Sequence, residues 1–189
     1  MAFADLYLDA LEAWEGGGRT PDPWTVAFEA TRDQRLPPLR HLLLGMNAHI
    51  NYDLPQALLE VISDDQFDDP ECVRRRRADH ERIDQILAGR VAAEDAELAK
   101  VEQPGQRSLL DRLLVPLNQA GTRRFLAEAR RKVWRNAVLL SQARRDGAPR
   151  LQARLAELEA LCAQRVSDLR APGQVILRLT RKGFGVELA

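Results

Sequence analysis

Apolar residues recur at three- and four-residue spacing through almost the whole chain, a period that admits little besides packed helices. Phe3, Leu6, Tyr7, Ala10, Leu11 and Trp14 open the series, and Trp24, Ala27, Phe28 and Thr31 follow. Leu126, Ala129, Val133, Ala137 and Leu140 keep the same register far downstream, as do Leu151, Leu155, Leu158, Leu161 and Val166. Only near the end does the pattern change. Val175, Leu177 and Leu179 alternate with polar residues, and Gly183 and Gly185 come after them, which reads as extended or β-like chain. The expectation is one all-α domain over residues 1–189, an irregular multi-helix bundle, with residues 172–189 as a short extended C-terminal segment.

Punctuation divides the helices. Gly16-Gly17-Gly18 ends the first, and Asp22 as N-cap with Pro23 at the first helical position starts the second. A third helix should run from Pro38, with a kink or break around Asn51–Leu54 because Pro55 does not fit a helix interior. The acidic stretch Ser63–Asp69 reads as a loop, and Pro70 should start a long helix reaching about Lys100. Val73, Ala78, His80, Ile83, Asp84 and Leu87 should form the inner side of that helix, while Arg74–Arg77 sweep its circumference as solvated, locally paired charges. A short helix from Ser108, interrupted near Pro116, precedes a strong one over Thr122–Ala143.

Composition narrows the partners. Lysine plus arginine and aspartate plus glutamate balance at 28 each, so nothing in the overall charge favours nucleic acid or an anionic membrane. The apolar runs are far shorter than the ~20 residues a spanning helix needs. Cys72 and Cys162 stand alone without a CxxC companion, as in a reducing compartment, and no leader pattern follows Met1. A cytoplasmic protein is expected.

The polar exception to the apolar texture is Arg40–Pro55, which carries His41, Asn47, His49, Asn51, Tyr52 and Asp53. Polar groups on a core-facing segment cost free energy unless paired or ligated, so they mark the candidate site. His49 and Asp53 are four apart, as are His80 and Asp84, and each pair projects from one face of a helix. Two such helices face to face would offer two imidazoles and two carboxylates to a divalent metal, zinc being the natural one. Without a metal, His49 oriented by Asp53 becomes a general base, with Tyr52 beside it and Asn47, Asn51 and Asn136 binding a small-molecule substrate. The opposing expectation is a non-catalytic helical ligand-binding or protein-interaction module, in which the polar cluster is structural. No GxSxG, P-loop, GxGxxG or HExxH motif occurs.

The run Gly45-Met46-Asn47-Ala48-His49-Ile50-Asn51-Tyr52-Asp53-Leu54-Pro55 resembles the signature of a bacterial family of unknown function common in actinomycetes. The resemblance takes in the first amphipathic helix, the His80/Asp84 segment and Trp134-Arg135-Asn136-Ala137, and implies no activity. More distantly, the HxxxD pairs are similar to those of zinc-dependent phospholipase C and P1-type nucleases, all-helical hydrolases. That likeness implies His49, Asp53, His80 and Asp84 as metal ligands. Three histidines would limit the centre to one or two ions.

Overall fold

The computed structural model describes residues 3–36, 38–83, 109–171 and 183–189. Among these there is no β-strand, and helices pack on one another in a bundle-like all-α fold. The helices are α1 (Phe3–Glu15), α2 (Asp22–Ala30), α3 (Pro38–Ala48), α4 (Leu54–Val61), α5 (Asp64–Asp68), α6 (residues 70–83), α7 (Leu109–Arg145) and α8 (Ala148–Arg170). Asp84 and Leu87, the expected continuation to Lys100, and Val175, Leu177 and Leu179 lie outside the described residues.

Local chemistry sets the ends. At Gly17 the backbone turns left-handed (φ 71°) and the Gly18 N–H reaches back to the Ala13 carbonyl at 2.8 Å, closing α1 as expected. Asp22 is the first residue of α2 rather than its cap. No side chain of the loop caps the helix; the Asp22 N–H donates instead to Glu159 of α8 at 3.0 Å. Ser63–Asp69 is not a loop. Ser63 and Gln66 form a reciprocal capping box that supports α5 across Asp64–Asp68.

Pro116 behaves differently from expectation, and the irregularity expected ahead of Pro55 takes a milder form than a break. The backbone stays helical through Pro116, so α7 is a single helix of 37 residues. Around Pro55 there is no break either. α3 runs into α4 through one π-helical turn, His49–Asp53, in which the Leu54 N–H bonds the His49 carbonyl five residues back. A proline ring presses on the carbonyl four residues earlier, and a turn holding one extra residue gives that carbonyl room.

α8 lies against α2, α3 and α7, and α4 lies against α7. The main core joins Trp24, Ala27 and Phe28 to Leu44, Ala48, Ala129, Val133, Val166 and Leu169. A second cluster gathers Leu59, Leu140, Leu158 and Cys162, and a third gathers Ile62, Phe67, Trp134 and Ala137. Leu161 is exposed and Cys162 takes the inner position on α8. On α6, Ala78 and Ile83 face solvent, and Cys72 and His80 turn inward. Both cysteines are free and buried. Arg74 pairs with Glu71 and Arg77 with Glu81, the local pairing expected of the arginine run, whereas Arg76 is half-buried and departs from the solvated course expected of it. No helix of the described residues is long and apolar enough to cross a membrane.

Candidate functional site

The π turn brings the sequence-predicted residues to two separate places. Asn47, at the end of α3, and Asn51, in the π turn, are four residues apart and fully buried. Across from them, Asn136 projects from α7, equally buried. Between these helices runs residues 183–189, extended and without helix or sheet. The three asparagines spend their amides on its backbone. Asn47 and Asn51 both donate to the Phe184 carbonyl, at 2.8 and 3.1 Å, and Asn51 Oδ1 accepts the Val186 N–H at 3.3 Å. Asn136 donates to the Val186 carbonyl at 3.1 Å and accepts the Leu188 N–H at 3.0 Å.

Charged side chains complete the grip. Glu128 Oε2 accepts the N–H groups of Phe184 and Gly185 at 3.1 and 3.0 Å, and its other oxygen pairs with Lys132 at 2.5 Å. Arg165 donates to the carbonyls of Gly183 and Gly185, and Lys132 also donates to Gly185. An extended chain buried away from any sheet must have its polar groups met one by one, and here side chains do it. The segment in turn buries Phe184 in the main core and Val186 and Leu188 in the second cluster. Gly183 enters the groove at φ 73°. At Gly185 a β-carbon would lie 2.7 Å from the Ala129 Cα, so the floor of the groove is the α7 backbone itself.

The second place is the outer side of the π turn. His49 Nδ1 and Asp53 Oδ2 are 2.8 Å apart, and both oxygens of Asp53 lie 3.1 Å from the Trp24 indole N–H. Asp53 is buried, whereas the His49 side chain keeps 29% exposure. The ring of Phe3 stacks on the imidazole at 3.7 Å. With Asp53 ionised, Nδ1 carries the proton and Nε2 is the basic nitrogen of His49. Burial raises the Asp53 carboxyl above its ordinary value, against the pull of the His49 and Trp24 hydrogen bonds. Trp24→Phe removes one of the two donors from a buried acceptor. It should destabilise the fold by about 1–3 kcal/mol, read as a lower urea midpoint with an unchanged slope.

His80 does not join His49. Its Nε2–H donates to the Arg130 carbonyl at 3.0 Å, its ring leans on Trp134, and the Arg130 guanidinium returns a bond to the His80 carbonyl. Burial, and then the adjacent Arg130 charge, push its pKa down to about 4. Among the described residues no three His, Cys, Asp or Glu side chains gather as they would to hold a metal ion. His49 and Asp53 make their contacts at the π turn, whereas α6 packs His80 on α7; Asp84, the fourth ligand of the expected centre, lies outside the described residues. Tyr52 packs between the first two clusters, where burial pushes its hydroxyl up to about 12 and keeps it neutral.

Glu128, Lys132 and Arg165 were not foreseen. The available signal was their position, each a charge flanking the apolar stripe of an amphipathic helix beside Ala129, Val133 and Val166. A protein-family model described as a family of unknown function (DUF5995) matches residues 1–172. No curated protein and no solved structure matches the chain.

Proposed function

The chain belongs to the family of unknown function DUF5995, and from that premise we propose that it is a non-catalytic helical binding module for extended polypeptide. The groove between the π turn, α7 and α8 is its binding site, and residues 183–189 fill that groove in cis. One observation carries this reading. Three buried asparagines on two helices direct their amides to alternate backbone groups of a single extended segment. Backbone hydrogen bonds with apolar pockets for alternate side chains are how folded domains take up extended peptides. Every side chain of the grip lies within the matched residues 1–172, and the occupant lies outside them.

The test is binding in trans. In Gly185→Val the added β-carbon would meet the α7 backbone, which should empty the groove and leave its walls intact. The full chain carrying Gly185→Val should bind a labelled peptide of the sequence of residues 183–189, measured by fluorescence anisotropy. Adding Asn51→Leu and Asn136→Leu should abolish that binding. A helical Gly185→Val chain that takes up no peptide would overturn the reading.

A second reading rests on His49, whose orientation by a buried carboxylate and partial exposure suit a general base. Small ester and phosphate-ester substrates would be turned over by the native chain and not by His49→Gln. Elemental analysis beside His49→Ala tests the remaining metal expectation, since stoichiometric zinc lost in the variant would make His49 a ligand.

A further inference from the structure

Resting on that reading, we infer that the groove selects its partner by sequence: an extended segment of another polypeptide with the order aromatic, glycine, aliphatic, acidic, aliphatic. Residues 183–189 would then be a built-in competitor that such a segment must displace.

Each position is set by what it meets. Phe184 enters the main core beside Ala129 and Val133, a space that takes a large flat ring. The next position admits glycine alone, because a β-carbon there would sit 2.7 Å from the Ala129 Cα and 3.0 Å from the Lys132 Cδ. A helix backbone cannot yield as the end of a flexible side chain can. Val186 and Leu188 drop into the pocket of Leu59, Leu140, Leu158 and Cys162, apolar throughout. Between them Glu187 points outward and meets Arg135 at 2.8 Å, an exposed pair that biases the choice without dictating it. The asparagine and Glu128 contacts go to backbone atoms, so they supply affinity to any extended chain and discriminate nothing. Selectivity resides in the glycine step and the two apolar pockets, with a smaller bias from the Arg135–Glu187 pair.

The arrangement also predicts competition. A segment tethered to its own groove acts at an effective concentration in the millimolar range, so a partner in trans binds the native chain far more weakly than an emptied one.

Three labelled peptides on the full-length Gly185→Val chain test the proposal: the sequence of residues 183–189, the same peptide with Gly185→Ala, and the same with Glu187→Lys. The alanine peptide should bind at least about 10-fold more weakly, an overpacking effect against backbone. The lysine peptide should lose about 3-fold, and that loss should vanish at high salt. Equal binding of all three overturns the selectivity and leaves the groove reading standing; binding of none overturns both. If Gly185→Val loses its helical circular dichroism, the same peptides are added in excess to the native chain. Hydrogen exchange at Leu188 should then accelerate with the first peptide and not with the alanine one, and equal rates with both overturn the proposal. A native chain that sediments as a dimer, and a Gly185→Val chain that does not, would make a second copy the occupant and overturn a heterologous partner.

Discussion

Gly185→Val lowers the thermal midpoint by about 6–12 °C, the counterpart of about 3 kcal/mol in a domain of this size. The added side chain must either push α7 away or leave the groove with its neighbours. Pushing α7 away would disturb Ala129 and Val133, both fully buried, so the segment should leave. Phe184, Val186 and Leu188 then lose their burial, and Asn47, Asn51 and Asn136 lose the backbone groups they hold. Amide exchange reads this site by site. Protection at residues 184, 185, 186 and 188 should collapse, while the amides of α8 around Leu158 and Val166 keep theirs. Neutralising Glu187 is the matched control: its pair with Arg135 is exposed, so Glu187→Gln should stay within about 0.5 kcal/mol of the native chain. A native midpoint for Gly185→Val would mean that the glycine does not rest on the α7 backbone.

Acid weakens the fold through His80. Its folded pKa is near 4 and its ordinary value 6.5, so in the folded chain it stays neutral while the unfolded chain takes up a proton. The unfolded state therefore binds more protons throughout that window, and stability is present above pH 6.5 and lost as the pH falls towards 4. The loss amounts to about 3 kcal/mol over the window. Asp53 works in the opposite direction. Its carboxyl is raised by burial, so the folded state holds its proton more tightly and gains stability as the pH falls towards 3.8. Urea unfolding at a series of pH values from 7 to 4 separates the two. His80→Gln, whose amide can still donate to the Arg130 carbonyl, should flatten the acid loss, and Asp53→Asn should steepen it. An unchanged slope in His80→Gln would remove the histidine from the account.

The helical period made the bundle legible before any coordinates, because burial on one face leaves a trace in spacing whatever the partner. Positions such as Ala129, Val133, Ala137 and Leu140 carried that trace, and all four are fully buried. Asn47, Asn51 and Asn136 were legible as special because polar groups rarely occupy such faces. What they bind was not. An amide serves a small molecule and a backbone carbonyl equally well, and the carbonyls they hold lie far along the chain, 137 and 133 residues from Asn47 and Asn51 and 50 from Asn136. The His80 spacing has the same limit: it describes one helix and says nothing of which helix faces it, and the ring bonds the Arg130 carbonyl of α7. Ser63 and Gln66 are the opposite case. Their capping signature was present in the letters, but the run of acids around them reads as loop.

The widened turn at His49–Asp53 acts as a phase shifter within what is otherwise one rod. Upstream of it the rod addresses α2 and α8, and downstream it addresses α7. Deleting a single residue there would bring both halves into step, and everything after it would swing by about 100° around the axis. Leu59 would then turn away from Leu140 and Leu158, and one missing residue would unseat the chain from α4 onward.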